Sequence, residues 1–164
     1  MAVLKIRKFG DLILKEKCIQ IANIDYELEE LVKNMAKTMY EAPGIGLAAS
    51  QVGVLKQLFI CDIGDGLQVY VNPKILAIEG EDTDEEGCLS VPGINVPVKR
   101  AKKIKVVALN MNKKKVAFVA DNLLLARAIQ HEIDHLHGII ILDRTDSENR
   151  RRALSELNEN AKRN

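Results

Sequence analysis

Residues 122–136 carry a helical pattern whose inward face is not purely apolar, and this one run limits both the fold and the chemistry of the chain. Leu124, Ala128, His131 and His135 share one stripe at helical spacing, while Leu125, Ile129, Glu132 and Leu136 form the stripe beside it. Both stripes are expected to face inward. The helix therefore needs apolar surface to cover it, and its two imidazoles and carboxyl need partners once they leave water. Asp121 is the expected N-cap, and Gly138 stands where a left-handed C-terminal cap belongs.

The rest of the chain supplies that cover. After Asp25, a second N-cap, Leu28, Leu31, Val32, Met35 and Met39 recur at helical spacing until Pro43-Gly44 ends the run, which predicts an amphipathic N-terminal helix. Between the two helices the texture changes. Residues 57–62, 68–72, 75–78, 95–98, 104–110 and 116–120 are short β-rich runs divided by Gly, Asp, Asn or Lys clusters, a pattern that suits antiparallel or mixed sheet. Beyond Ser147 the tail is charged, with Leu154 and Leu157 its strong apolar pair, which predicts a surface helix. Strands bracketed by helices, rather than alternating with them, indicate an α+β fold: β-sheets packed around the late helix, with one helix before them and a tail helix after.

A chain of 164 residues can bury about two thirds of the surface its unfolded form exposes, so it needs no disulfide staples. Cys18, Cys61 and Cys88 form an odd set without paired spacing, which points to a reducing compartment, the cytoplasm. Charges interrupt the apolar residues of the N-terminus, and no stretch approaches a membrane span. Twenty-four Lys and Arg against 23 Asp and Glu leave a net charge of +1, so no global field draws the protein to nucleic acid or to an anionic membrane. Basic clusters at 99–105, 113–115 and 150–152 are solvated strand edges and helix surface, or a docking patch for a ribosome or RNA without sequence preference.

The run from His131 to His135 is an HExxH. Two histidines four residues apart on a helix lie one turn apart on one face and can bind one cation, and Glu132 beside them is placed to shuttle a proton. The same spacing also arises by chance in an amphipathic helix. A third ligand separates the cases, because three protein ligands and an open position make a catalytic site. One metallopeptidase pattern would put a third His at position 141, which here is Ile141; another uses a downstream Glu, for which Glu156 is the candidate. Cys88 is the stronger candidate, since it offers a soft thiolate next to Gly87, where the backbone can approach closely. Cys18 and Cys61 read as buried structural thiols. Residues 44–51, Gly-Ile-Gly-Leu-Ala-Ala-Ser-Gln, suit either a structural turn or an edge that accepts a ligand backbone, with Gln51 adding an amide donor; their glycine spacing does not suit a phosphate cradle.

Together GIGLAASQ (44–51), EGCLS (86–90) and QHEIDH (130–135) resemble, in order, the three signature motifs of peptide deformylases, and the likeness runs from about residue 4 to 144. The resemblance implies a metallohydrolase that removes the N-formyl group from the initiator methionine of nascent polypeptides. It implies one catalytic domain over 1–164, with the motif-bearing core at 4–144 and a tail at 145–164. Cys88, His131 and His135 would hold one divalent metal, Fe(II) by resemblance, with Zn(II) the alternative and Ni or Co able to substitute. Glu132 would be the general base and later acid, and Gln51 with the Leu89 N–H would stabilise the oxyanion. Gly46, Ile45, Glu86 and Gly87 would pair with substrate backbone, while Leu124 and Ala128 would line the methionine pocket. Two departures stand out: Leu12 replaces a common proline, and Asn95 stands where some members carry an arginine, leaving Arg100 as the candidate to supply that charge to the peptide.

Overall fold

A computed structural model describes residues 1–163. Helix α1 (Tyr26–Glu41) begins where the Asp25 carboxylate accepts the Leu28 N–H at 3.0 Å. It leads into three short elements: strand β1 (Gly46–Ala48), a 3-10 turn over Ala49–Val52, and strand β2 (Leu58–Cys61). Strands β3 (Gln68–Glu79), β4 (Asp82–Cys88), β5 (Val91–Arg100), β6 (Lys103–Leu109) and β7 (Lys115–Ala120) follow. Helices α2 (Leu123–Leu136), α3 (Ile141–Arg144) and α4 (Ser147–Arg163) complete the chain.

Five strands pair in the order β1-β2-β3-β6-β7, β4 and β5 form a separate ribbon, and every ladder between them is antiparallel. Alternation along β2 shows how the larger sheet is covered. Leu58 and Ile60 point to Leu28, Met35 and Met39 of α1, whereas Phe59 and Cys61 point to Ala126, Ile129 and Ile133 of α2. The ribbon has its own apolar face, where Val91, Ile94, Val96 and Val98 meet Leu14, Ile140, Ile141 and Ala153. Leu154 and Leu157 of α4 pack there too, so the tail helix closes the ribbon instead of standing free on the surface.

The structure departs from the sequence pattern at definable places. Runs 68–72 and 75–78 are one strand, kinked where Asn72 takes φ 50° and the register shifts. The Asn72 amide exchanges hydrogen bonds with the backbone of Ile21 at 2.8 and 2.9 Å, which holds that conformation. Asn122, not Asp121, caps α2, its side-chain oxygen accepting the Leu125 N–H at 3.1 Å. Strand β4 has no apolar alternation and was not legible; Asp82, Asp84 and Glu85 are exposed or half-exposed acids, and Glu86 is the one acid whose side chain turns inward. Gly138 does adopt φ 74°, and a Cβ there would strike the Lys15 carbonyl.

Candidate metal centre

Strand β4 ends at Cys88 directly beside the inward stripe of α2. There the Cys88 Sγ lies 3.4 Å from His135 Nε2, and the two imidazole Nε2 atoms lie 3.3 Å apart. Among the described residues these three form the one group of Cys, His and acidic side chains whose donor atoms, all within 4.8 Å of one another, suit a cation. Separations of this size match the edges of a tetrahedron with bonds of about 2.1 Å to nitrogen and about 2.3 Å to sulfur. The donor set also fits electronically. Burial pushes the Cys88 thiol up, but His135 and His131 against it outweigh this and hold it well below the ordinary thiol range. A thiolate and two imidazoles suit Fe(II), Zn(II), Ni or Co, so a divalent metal fits these residues.

Glu132 sits next to these donors, its Oε1 3.8 Å from His131 Nε2. Burial raises its carboxyl above the usual range, while His131 and His135 pull the other way. Its Oε2 is buried without a partner, as befits an acceptor facing the space where chemistry would occur. Position 46 makes room for it, since a Cβ on Gly46 would come within 2.9 Å of Glu132 Oε1. Gln51 is locked from the opposite wall. Its Oε1 accepts the Ala48 N–H at 3.0 Å, and its Nε2 reaches Ser90 Oγ at 3.0 Å and Cys88 Sγ at 3.6 Å.

A cleft of about 730 Å³ opens onto the site, and Ile45, Gly46, Glu86, Gly87, Leu89, Leu124 and Ala128 all line it. Ile45 and Leu124 are half exposed at its mouth, whereas Ala128 is buried. The anticipated residues thus converge on one place, with two exceptions. Arg100 is buried, donating to Glu86 at 2.9 and 3.0 Å and to Asp134 at 2.6 Å, so it does not offer its charge to a peptide in the cleft. Glu156 lies exposed on α4, paired with Arg152 and outside the group that Cys88 forms with the two histidines.

Three supporting residues were not anticipated in these roles. Glu86 Oε1 lies 2.9 Å from His131 Nδ1 and so directs the other ring nitrogen at the metal position. Despite burial, its bonds to His131 and Arg100 hold its pKa down at about 2. Arg127 braces the same carboxylate at 2.6 Å, and Ser90, fully buried, receives Gln51. One signal was available for Arg127: it falls one turn before His131, where a buried guanidinium requires an acid.

The chain is similar to known proteins in both sequence and fold. The sequence model of the family described as polypeptide deformylase matches residues 3–151. The chain is 52% identical over 145 residues to a peptide deformylase of Clostridium botulinum, covering 88% of this chain and 98% of that one. It is 48% identical over 147 residues to one of Carboxydothermus hydrogenoformans, covering 90% and 96%. A crystal structure of a peptide deformylase from Legionella pneumophila superposes with a TM-score of 0.93 at 38% identity, covering 98% of this chain and 96% of that one. Another, from Synechococcus elongatus in complex with actinonin, gives 0.90 at 39%, covering 93% and 86%.

Proposed function

The chain belongs to the polypeptide deformylase family, and we propose that within it Cys88, His131 and His135 hold the catalytic metal while Glu132 moves the proton. The activity is metal-dependent hydrolysis of the N-formyl group from formyl-methionine at the start of nascent polypeptides, with release of formate. Convergence of one sulfur and two imidazole nitrogens beside a buried, half-unpartnered carboxyl is the observation that carries the assignment.

Cys88, His131 and His135 would hold a divalent cation, which would supply Lewis acidity and bring the pKa of a water down to roughly 7. Glu132, with Oε2 free of protein partners, would take the proton of the attacking water as the water's oxygen bonds to the formyl carbon. The negative charge that develops on the formyl oxygen meets the Gln51 amide, already oriented by Ala48 and Ser90, and the N–H of Leu89. Glu132 then returns the proton to the amine nitrogen as the carbon–nitrogen bond breaks, leaving formate and a free N-terminus. β1 and β4 each have an unpaired edge and line the cleft, which supports Ile45 and Gly46 on one side and Glu86 and Gly87 on the other as the residues beside the substrate backbone. Leu124 and Ala128 supply apolar wall for the methionine side chain.

Fe(II) is the resident ion in this proposal, with Zn(II) the alternative; loss of activity in air would mark iron with a thiolate ligand. Residues 1–164 act as one catalytic domain, supported by the packing of α4 on the ribbon. No helix among the described residues is long and apolar enough to cross a membrane, and three free cysteines favour the cytoplasm. The cytoplasm is also where the substrate emerges. Lys103, Lys105 and Lys113–Lys115 are exposed around the β6–β7 hairpin, which supports a transient ribosome contact without sequence preference. Co-sedimentation with ribosomes should then fall steeply as salt rises, and its absence at low salt would remove this contact.

The assay for the chemical role is formate release from a formyl-methionyl peptide. Glu132→Gln should keep its metal and lose at least about 100-fold in kcat. Activity near that of the parent would exclude Glu132 as the base.

A further inference from the structure

The metal donors reach the site from two parts of the fold. His131 and His135 stand on α2, which lies against β1, β2, β6 and β7 of the large sheet. Cys88 ends β4, in the ribbon whose apolar face is turned away to Leu14, Ile140 and Ala153. Between the ribbon and α2 run hydrogen bonds of polar and charged side chains instead: Arg100 to Asp134, His131 to Glu86, and the several bonds of Arg127. The distance from sulfur to imidazoles is therefore set across a polar seam.

Arg127 crosses that seam at three points. Its Nη1 donates to Glu86 Oε2 at 2.6 Å and to the Val98 carbonyl at 2.8 Å, and its Nη2 donates to the Asp82 carbonyl at 2.8 Å and carboxylate at 3.2 Å. It thus joins both strands of the ribbon to α2, one turn before His131. The remaining lone pairs of Glu86 go to Arg100 and, through Oε1, to His131 Nδ1. Two guanidiniums fix the plane of this carboxylate, and the carboxylate fixes the imidazole. Arg100 alone would still grip both carboxylate oxygens, but it would leave Oε2 with one donor and Glu86 with no bond to the turn of α2 that precedes His131.

We propose that Arg127 is a positioning residue for the metal ligand His131, acting through Glu86, and that it holds the ribbon bearing Cys88 in register with α2. The inference rests on the assignment of Cys88, His131 and His135 as ligands. A lysine in its place keeps the charge but not the planar fork, so it cannot reach Glu86, Val98 and Asp82 together.

The test uses the full-length chain loaded with Co(II), following the thiolate and ligand-field absorption bands and the rate at which a chelator removes the metal. Arg127→Gln should lose metal roughly 10–100-fold faster, with shifted bands, and Arg127→Lys should fall between it and the parent. Leu154→Ala, on the apolar side of the ribbon, controls for lost stability and should leave bands and loss rate near those of the parent. Should Arg127→Gln not fold, Arg127→Lys decides by the same two readouts. Metal loss no faster than in Leu154→Ala, with unshifted bands, would overturn the role of Arg127 alone. A parent chain without thiolate bands would overturn the ligand assignment, and Arg127 with it.

Discussion

Glu132 Oε1 occupies the space into which any side chain at position 46 would project, so the carboxyl and the glycine are one arrangement. Gly46→Ala should push the carboxylate off its line and lower kcat about 10–100-fold with the metal content unchanged. A parent-like kcat would show that the position of Glu132 is not critical. At this scale the local chemistry was legible, because His131, Glu132 and His135 form a helical pattern and Cys88 sits by a glycine in an otherwise acidic segment. Their supports were not. Glu86 is 45 residues from His131 and 41 from Arg127, and nothing in a strand of exposed acids distinguishes the one carboxylate that turns inward.

Between elements, the seam of α2 and the ribbon makes a pH dependence. Glu86 has its pKa lowered in the folded protein, from 4.5 to about 2, by His131 and Arg100 against the effect of burial. The unfolded chain therefore binds more protons between those values, and stability rises with pH across that window. The contribution of Glu86 is complete above about pH 4.5 and disappears as pH falls towards 2. Metal-free protein should accordingly lose thermal stability through this range, whereas Glu86→Gln should start lower at neutral pH and converge with the parent in acid. Parallel curves would place the acid sensitivity elsewhere. Helices α1, α2 and α4 were readable from periodicity, since each buries one face, and the apolar strands from β-rich runs between turn residues; the short α3 was not. What periodicity missed is what packs by charge or by local bonds: β4, the Asn122 cap, and the kink at Asn72 that fuses two runs into β3.

Across the whole molecule, two layered bodies meet at the proposed metal site. The large sheet with α1 and α2 brings two imidazoles and the Glu132 carboxyl; the ribbon, closed by α3 and α4, brings the sulfur. The α+β class followed from the order of runs along the chain, but the division into a five-stranded sheet and a ribbon did not, because pairing partners are chosen by long-range packing. The tail helix shows the same limit: Leu154 and Leu157 look sparse in sequence and gain their meaning from the apolar face of β5. If these ligands hold the metal, its retention should depend on both bodies, and Cys88 is the ribbon's only thiol. Metal analysis of anaerobically purified parent and Cys88→Ser protein should find one divalent ion per chain in the first and a clear deficit in the second, with circular dichroism unchanged. Equal metal content in the two would contradict the assignment of that sulfur as a ligand.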